Sequence, residues 1–318
     1  MDIVACFDSG FVMPTGVMMY SVCMNNKDVD IVFHLIVDES VSERDKKDLE
    51  ETVIAFKGKA VVFYSVSSMD FMNLPALKGQ NHLTQATYYR LVLSDILPRS
   101  LKKVLYLDGD IIVEHSLQSL WNIDLSGYAL AAVPSASSST DISIYNRLGY
   151  SLDFGYFNAG VLFINLEYWR MNQMSKVFKK FLSIHYNDIY GHDQDVLNAV
   201  FFDKKLSLPI KYNLTMPYLS KWPKFDIFKY RRELEEALNE PVIIHFAPDH
   251  PWYYNRFAFP LECIFYKYQN QTRWRDWGKR DKRPIPLRLR HLVGDAMRKV
   301  KLLPQLPQIY ISIPLGDK

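Results

Sequence analysis

Two aspartates, Asp108 and Asp110, lie at the centre of the apolar run LYLDGDIIV at residues 105–113. Burying a carboxylate is costly unless its charge is paired or bound to a metal. Residues two apart on a strand point to the same side, and Gly109 allows an irregular backbone, so both carboxylates can converge on one cation. Their oxygens suit Mg²⁺ or Mn²⁺, which would neutralise the diphosphate of a nucleotide leaving group. Alternatively, both aspartates have only structural roles: one caps a neighbouring helix and the other lies in solvent.

The carboxylate pair follows one of several β-rich runs that alternate with helical patterns. The predicted strands are DIVACF, DIVFHLIVD, AVVFYSV and KKVLYLD, and the predicted helices are residues 15–25, SERDKKDLEETVIAF with a capping box between Ser42 and Asp45, and TQATYYRLVLSDIL. The alternation predicts an α/β fold with a parallel or mixed sheet flanked by helices, and the unbroken apolar strands indicate that both sheet faces are buried. Ligands bind at the carboxyl ends of such strands, where Asp8 and Asp108 are expected.

Three later segments add polar side chains to this fold. FNAGVLFINLEYW predicts a strand or turn that leads into a helix, HDQDVLNAVF predicts a short helix, and PVIIHF predicts a buried strand that ends near His245. The polar run SASSST at residues 135–140 is typical of a loop and could serve as a mobile lid.

Composition predicts a globular chain with a basic C-terminal part. Of 318 residues, 48% are hydrophobic and 14% aromatic, which is enough to bury a large core. The net charge is +3, but residues 273–301 hold eleven Lys or Arg and three Asp, a net charge of +8. Because residues 302–318 are neutral, residues 1–272 carry a net charge of −5. With the change of pattern near residue 265, we predict a main domain at residues 1–264 and a basic, aromatic extension at 265–318.

The cysteines and the first residues bear on the compartment. Cys6, Cys23 and Cys263 lie far apart and form no CxxC pair, so the sequence predicts neither a disulfide framework nor a zinc site. The start MDIVACFDSG has no basic region, and its apolar run is too short for a signal peptide or a membrane span. We therefore expect a reducing, cytoplasmic location.

Six segments, in order, resemble glycosyltransferase family 8, a group of retaining enzymes that includes bacterial lipopolysaccharide galactosyl- and glucosyltransferases and glycogenin. The matching segments are IVACFDSGF, HLTQATYYRL, KKVLYLDGDIIV, FNAGVLFINLEYW, HDQDVLN and IIHFAPDHPW, which together span residues 3–252. Six ordered matches are far more specific than one DxD motif. The resemblance implies a GT-A type nucleotide-diphosphosugar transferase fold, with residues 1–264 as the catalytic domain.

The resemblance also implies a binding site for a UDP-sugar donor. Asp8 would accept a hydrogen bond from the uracil ring, and Phe11 would stack near it. His82, Thr87 and Arg90 would lie near the diphosphate and the sugar. The chain departs from the family at Gly10, where asparagine is common, so one base or ribose contact is absent.

The remaining implied residues bind the metal and the sugar. The ligands of Mn²⁺, or of Mg²⁺, would be Asp108, Asp110 and His245, with Gly109 inside the same nucleotide-binding segment. The catalytic and sugar-binding residues would be Asn158, Asp193, Gln194 and Arg90. In the last segment the chain is one residue shorter than the family and has His250 where a diphosphate-binding lysine is usual.

Each of these residues also has an ordinary structural interpretation. Arg90 could be a solvated helical arginine, Asn158 a turn residue, Asp193 a helix N-cap and His245 a core histidine. Gln194 is the most informative, because the family resemblance implies a position on the sugar face where a double-displacement enzyme would need a carboxylate nucleophile. Glutamine is a poor nucleophile, so we favour front-face attack through an oxocarbenium-like state that the Gln194 carbonyl oxygen stabilises.

The basic extension allows three interpretations. Residues 273–301 mix tryptophan and leucine with arginine and lysine, as in a nucleic-acid patch, an amphipathic membrane-surface segment or a solvated tail. The core has no nucleic-acid fold signature, and a transferase that acts on lipid-linked saccharides must reach an anionic leaflet. We therefore expect peripheral attachment to the inner face of the cytoplasmic membrane, and no nucleic-acid partner.

Three other functions compete. A phosphatase of the haloacid dehalogenase type would carry its DxD on the first strand, and a nucleotide-sugar pyrophosphorylase would need a Gly-rich N-terminal loop with arginine. A non-catalytic module of the same fold stays open because the His245 segment is shortened. The sequence favours a retaining, Mn²⁺-dependent transferase that moves galactose or glucose from a UDP-sugar to a saccharide or lipid-linked saccharide acceptor of the cell envelope.

Overall fold

The computed structural model describes residues 1–67, 85–138, 140–221, 226–255 and 260–311. The strands in this part are β1 (Asp2–Phe7), β2 (Ile31–Val37), β3 (Lys59–Ser65), β4 (Lys103–Leu107), β5 (Ile111–Val113), β6 (Leu130–Pro134), β7 (Phe157–Asn165), β8 (Lys205–Ser207), β9 (Leu214–Thr215) and β10 (Ile243–His245). The helices are α1 (Val12–Asn25), α2 (Glu43–Ile54), α3 (Leu93–Ile96), α4 (Gln118–Trp121), α5 (Ile142–Leu148), α6 (Leu166–Met171), α7 (Met174–Ile184), α8 (His192–Phe201), α9 (Ile227–Asn239), α10 (Glu262–Gln269) and α11 (Ile285–Lys299).

A mixed sheet forms the centre of the molecule, with strand order β3-β2-β1-β4-β7-β6-β8 in the described residues. Strands β3, β2, β1 and β4 run parallel, β7 is antiparallel to both β4 and β6, and β8 is parallel to β6. This arrangement confirms the α/β fold with a mixed sheet. The carboxyl ends of β1 and β4 lie at one edge of the sheet, so Asp8 and Asp108 follow neighbouring strands.

Helices pack on both faces of the sheet, so alternate residues of a central strand enter two different hydrophobic clusters. In β1, Ile3 and Ala5 belong to one cluster and Val4 to the other. The prediction that both faces are buried is therefore confirmed for the central strands. It is wrong for β3, an edge strand with no fully buried residue, in which the side chain of Val62 is 40% exposed.

A second, three-stranded sheet joins distant parts of the chain, in the order β5-β10-β9. In the antiparallel pair of β5 and β10, His245 lies opposite Ile111, and the next residue, Phe246, donates its backbone N–H to the carbonyl of Asp110 at 2.9 Å. This register brings His245 beside the carboxylate pair, although the two segments are far apart in sequence. The pairing of β5 with β10 therefore assembles the metal-ligand set.

Most of the predicted helices are confirmed. α2 begins with the predicted capping box, in which the Ser42 hydroxyl accepts from the Asp45 N–H and the Asp45 carboxylate accepts from the Ser42 N–H. α8 covers HDQDVLNAVF in full, and FNAGVLFINLEYW forms β7 and then α6.

The helix predicted for TQATYYRLVLSDIL is only partly correct, because Gln85–Val92 form a 3-10 helix and only Leu93–Ile96 are α-helical. A 3-10 helix has three residues per turn, so residues i and i+3 lie on the same side. Thr87 and Arg90 therefore face the same neighbour, Asp193.

The start of the basic extension packs against the main domain. Phe265, Tyr268 and Trp274 belong to the same hydrophobic cluster as β1 and α1. A Cβ atom at Gly16 would lie 2.0 Å from the Trp274 ring, so glycine is needed for this close contact. The boundary after residue 264 stays a prediction, and any test of it must leave Trp274 in place.

Substitution of Trp274 is expected to destabilise the whole fold. Trp274 is 6% exposed, so Trp274→Ala would leave a large cavity against α1 and lower the free energy of unfolding by about 3 to 5 kcal/mol. Trp277→Ala is the matched control, since Trp277 is 42% exposed and its loss should change stability by about 0.5 kcal/mol. Urea unfolding followed by circular dichroism measures both. Equal losses in the two variants would contradict this packing role.

α11 lies at the surface and contributes no buried residue. None of the helices that the structure describes combines the length and the apolar character needed to cross a membrane.

Candidate active site

A cleft of about 390 Å³ opens at the carboxyl ends of β1 and β4. Its lining includes every predicted site residue that the structure describes: Asp8, Phe11, Thr87, Arg90, Asp108, Gly109, Asp110, Asn158, Asp193, Gln194, His245 and His250. His82 lies outside the described residues. Residues from six distant segments thus meet in one cleft, and their individual roles stay predictions.

Asp108, Asp110 and His245 form a compact group of possible metal ligands. One ligand atom from each lies within 4.8 Å of the others, and His245 Nε2 is 3.2 Å from Asp110 Oδ1. His245 Nδ1 lies 2.9 Å from the side-chain oxygen of Asn213, which fixes Nδ1 as the protonated donor and directs Nε2 toward the carboxylates. Two carboxylates and an imidazole held by its other nitrogen suit Mn²⁺ or a similar divalent ion.

Gly160 forms the floor of this group. A Cβ atom there would lie 2.1 Å from His245 Cε1 and 2.9 Å from Asp108 Oδ2. The carbonyl oxygen of Gly160 also accepts the backbone N–H of Asp108 at 2.9 Å. A residue with a side chain at this position would push the ligands apart, so the glycine keeps the donor set converged.

The charges of the group are coupled. Burial would lower the pKa of His245, but the adjacent Asp110 carboxylate reverses this effect and the pKa is raised. Burial would raise the pKa of Asp110, but His245 and His250 lower it below its usual range. Asp110 is therefore ionised and shares a proton with His245, a proton that a metal ion would displace.

Arg90 joins the carboxylate pair to α8. It is buried, and its guanidinium lies 2.9 Å from Asp108 Oδ1 and 3.0 Å from Asp193 Oδ2. It also donates to the carbonyl of Ala159 at 2.6 Å and lies over the ring of Tyr106 at 4.3 Å. The interpretation of Arg90 as a solvated arginine is therefore wrong.

Asp193 is equally buried, and its surroundings explain its charge. Its Oδ1 accepts the hydroxyl of Thr87 at 2.5 Å. Burial raises the pKa of Asp193 to about 6, although the Arg90 guanidinium opposes this shift. Asp193 is not the N-cap of α8, because Gly191 occupies that position. Asp193 lines the cleft instead.

Gln194 contacts the start of β7 through the oxygen of its side-chain amide. Its Oε1 accepts the backbone N–H of Ala159 at 2.9 Å and the side-chain NH₂ of Asn158 at 3.3 Å. Asn158 in turn accepts from Asn213 at 2.8 Å, which also bonds His245. A continuous chain of hydrogen bonds therefore links the metal-ligand group to Gln194.

The other end of the cleft is aromatic. His250 stacks on Trp252 with the rings 4.7 Å apart and 1° from parallel, and Phe11 meets both edge-on. His250 Nδ1 lies 3.3 Å from Asp110 Oδ2, so this histidine contacts a candidate metal ligand directly. Asp8 accepts the N–H of Gly10 at 2.8 Å.

Three residues of this site were missed by reasoning from the sequence. Asn213 orients His245, Gly160 forms the floor of the ligand group and Tyr156 bonds Gln194. Gly160 lies inside the FNAGV segment, so that motif was an available signal. Asn213 and Tyr156 depend on contacts between segments that no local pattern reveals. Ser137, in the predicted lid loop, also lines the cleft.

Comparisons with known proteins agree with this geometry. The sequence model of Glycosyl transferase family 8 matches residues 2–256. General stress protein A of Bacillus subtilis (strain 168) is 29% identical over 283 residues, which cover 87% of this chain and 96% of that protein. The lipopolysaccharide 1,3-galactosyltransferase of Salmonella typhimurium is 27% identical over 280 residues, covering 84% and 77%.

A solved structure resembles the fold over most of its length. Galactosyltransferase LgtC, in complex with donor and acceptor sugar analogues, superposes with a TM-score of 0.75 at 25% identity and covers 91% of this chain and 99% of that one. Both chains have the GT-A type fold. With the family match over residues 2–256, this chain belongs to glycosyl transferase family 8.

Proposed function

We propose that this chain is a retaining glycosyltransferase that moves galactose or glucose from a UDP-sugar to a saccharide acceptor of cell-envelope lipopolysaccharide or polysaccharide. The observation that carries the proposal is the convergence of Asp108, Asp110 and His245 in a cleft that also contains Gln194. The relative from Salmonella typhimurium is a lipopolysaccharide galactosyltransferase, which supports this class of acceptor.

Different cleft residues would bind each part of the donor. Asp8 and Phe11 would contact the uracil ring, and Asn158, Asp193 and Gln194 would offer the directional acceptors and donors that sugar hydroxyls need. Asp108, Asp110 and His245 would hold Mn²⁺. The bound ion would supply positive charge to the departing diphosphate.

The contacts of the nearby carboxylates favour front-face attack. Asp193 is engaged by Arg90 and Thr87, and Asp195 accepts hydrogen bonds from Arg147, Tyr156 and two backbone N–H groups. A carboxylate held by so many donors is a poor nucleophile. The acceptor hydroxyl would therefore enter on the face from which UDP leaves, with Gln194 facing the developing positive charge. Trapping a covalent sugar adduct on Asp193, Gln194 or Asp195 would overturn this mechanism.

The stereochemistry of the product tests the proposed reaction. We would incubate the chain with Mn²⁺, UDP-galactose or UDP-glucose and a terminal-galactose oligosaccharide, and determine the anomeric configuration of the product by NMR. Retention predicts an α-linked hexose, because the donor is α-linked to UDP. A β-linked product would contradict the proposal.

A non-catalytic nucleotide-sugar module is the second candidate. His250 stands where the family usually has a lysine that reaches the diphosphate, and it contacts Asp110. Loss of that lysine would weaken stabilisation of the leaving group more than binding. Metal-dependent binding of UDP without transfer to any acceptor would favour this candidate.

We further propose that α11 attaches the chain to the inner face of the cytoplasmic membrane. Its apolar residues at spacings of three and four form an exposed stripe, here called the α11 stripe: Ile285, Leu289, Leu292 and Val293, each at least 57% exposed. Arginine and lysine flank the stripe on the same helix. Such a helix binds an anionic lipid surface through both apolar burial and charge.

Co-sedimentation with vesicles tests the membrane proposal. We expect the chain to pellet with phosphatidylglycerol vesicles at low salt, and binding to fall about ten-fold when Leu289 and Leu292 are both replaced by Glu. Ile54→Glu is the matched control, since Ile54 is 79% exposed on α2, and it should not change binding. Absence of binding by the wild-type chain at low salt would end the proposal.

A further inference from the structure

A buried chain of hydrogen bonds ends on the side-chain nitrogen of Gln194. Gln194 Nε2 lies 3.1 Å from the hydroxyl of Tyr156, and that hydroxyl lies 2.8 Å from Asp195 Oδ1. Tyr156 is 2% exposed and Asp195 is 1% exposed, so water does not compete for these contacts. Tyr156 does not line the cleft, whereas Gln194 does.

Asp195 determines the direction in which the hydrogen bonds of this series are donated. Its Oδ2 accepts from Arg147 at 2.7 Å, from the N–H of Tyr190 at 2.8 Å and from the N–H of Gly191 at 2.6 Å. The Tyr156 hydroxyl donates its single proton to Asp195 Oδ1, because Arg147 and two backbone N–H groups already occupy Oδ2. Burial and the nearby Asp195 charge raise the pKa of Tyr156 well above its usual value, so this proton is retained.

The Tyr156 oxygen is therefore left as an acceptor toward Gln194. Only the NH₂ end of the amide can donate to it, so the carbonyl end must point the other way, toward the N–H of Ala159. The two contacts tether both ends of the amide. Without the Tyr156 contact, Nε2 would have an apolar ring beside it and the side chain would be held at one end only.

We propose that Tyr156, oriented by Asp195, is a positioning residue that holds the Gln194 carbonyl oxygen where the transferred sugar develops positive charge. The inference deepens the proposed glycosyl transfer and rests on it, because an oriented carbonyl matters only if charge develops beside it. Pre-oriented dipoles act on the transition state more than on the bound donor. The loss of Tyr156 should then lower kcat and leave donor binding nearly unchanged.

The positive charge that balances Asp195 comes from α5. Arg147 lies near the end of α5 and also stacks on Tyr190 at 4.6 Å, so it holds Asp195 in place. Asn198 holds the same part of α8 to β7, because its side chain both accepts from and donates to the Phe157 backbone. The contacts that position Tyr156 and Asp195 are therefore rigid, and they do not involve Asp108, Asp110 or His245.

The test compares Tyr156→Phe with Tyr150→Phe, each alone and each in a Gln194→Ala background. Tyr150 is a matched control, because it lies in the same small hydrophobic cluster and its buried hydroxyl has no hydrogen-bond partner among the described residues. We expect Tyr156→Phe to lower kcat about ten-fold with KM for the donor changed less than about two-fold. Tyr150→Phe should leave both constants unchanged.

The double variant separates positioning from a general structural effect. If Tyr156 acts through Gln194, adding Tyr156→Phe to Gln194→Ala should not lower kcat further. A further ten-fold loss in that background, or full kcat in Tyr156→Phe alone, would overturn the inference. If the wild-type chain transfers no hexose at all, the proposed function fails instead, and calorimetry of UDP binding would show which residues still form the site.

Discussion

Replacing Asp110 with alanine should lower the rate of hexose transfer about a thousand-fold at saturating donor, because the charge that a bound metal gives to the leaving diphosphate would be lost. Asp110 is 5% exposed, and its two oxygens contact His245 and His250 separately. Its removal takes away one of three ligands and the contact that directs His250. We therefore expect Mn²⁺ binding, measured by electron paramagnetic resonance, to be lost together with activity.

The Asp110→Ala variant should still fold, so that its loss of activity and of Mn²⁺ binding can be assigned to the missing carboxylate. Without the Asp110 charge, burial, which is the largest influence on His245, would lower the pKa of the imidazole against the smaller opposing effect of Asp108 and so favour its neutral form. Asp124→Ala is a control carboxylate deletion at the surface, bonded only to Ser126 among the contacts described, and it should retain full activity. Full turnover by Asp110→Ala in the presence of a chelator would contradict the metal-dependent site.

Replacing Arg90 with methionine should cost stability as well as activity. Arg90 is 5% exposed and pairs with two carboxylates, the buried Asp193 and the half-buried Asp108. Removing one partner of a buried ion pair lowers the free energy of unfolding by about 3 to 5 kcal/mol, since the remaining charge is left unpaired. Arg99→Met, at an exposed arginine, is the control and should be nearly neutral.

The loss in Arg90→Met should depend on pH. The pKa of Asp193 is already raised to about 6 by burial, and without Arg90 it would rise further. A raised carboxyl pKa means that the folded state binds more protons than the unfolded chain above pH 4, so stability falls as pH rises. Urea unfolding should therefore show a smaller deficit at pH 5 than at pH 8. A deficit that does not change with pH would contradict the buried charge on Asp193.

Local motifs were sufficient to predict the strand ends that carry the site. Asp8 and Asp108 follow apolar strands directly, and α8 begins where HDQDVLNAVF predicts it. These predictions required only the spacing of the hydrophobic residues and the direction in which each strand runs. The family resemblance added His245, whose position beside Asp110 depends on the pairing of β10 with β5.

The parts that could not be predicted depend on long-range packing or on backbone detail. Asn213 orients His245 only because β9 lies beside β10, and Tyr156 reaches Gln194 only because α8 packs on β7. The 3-10 form of Gln85–Val92 could not be predicted either, because the sequence pattern there is equally compatible with an α-helix.

This chain departs from the family pattern at Gly10 and at His250. Gly10 has no side chain to reach the base or ribose, and a Cβ atom there would lie 3.0 Å from Asp8. His250 packs between Trp252 and Phe11 and contacts Asp110, so it is fixed by aromatic neighbours as well as by charge. His250 lines the cleft, and Gly10 lies next to its lining residue Phe11.

The most direct test of the central claim is UDP release from a panel of UDP-sugars, each with Mn²⁺, with Mg²⁺ and with chelator, in the presence of a saccharide acceptor. We predict Mn²⁺-dependent release from UDP-galactose or UDP-glucose and none with chelator. Release that is the same with and without metal, or failure of UDP to bind in the presence of Mn²⁺, would contradict the assignment of Asp108, Asp110 and His245 as the metal site of a hexosyltransferase.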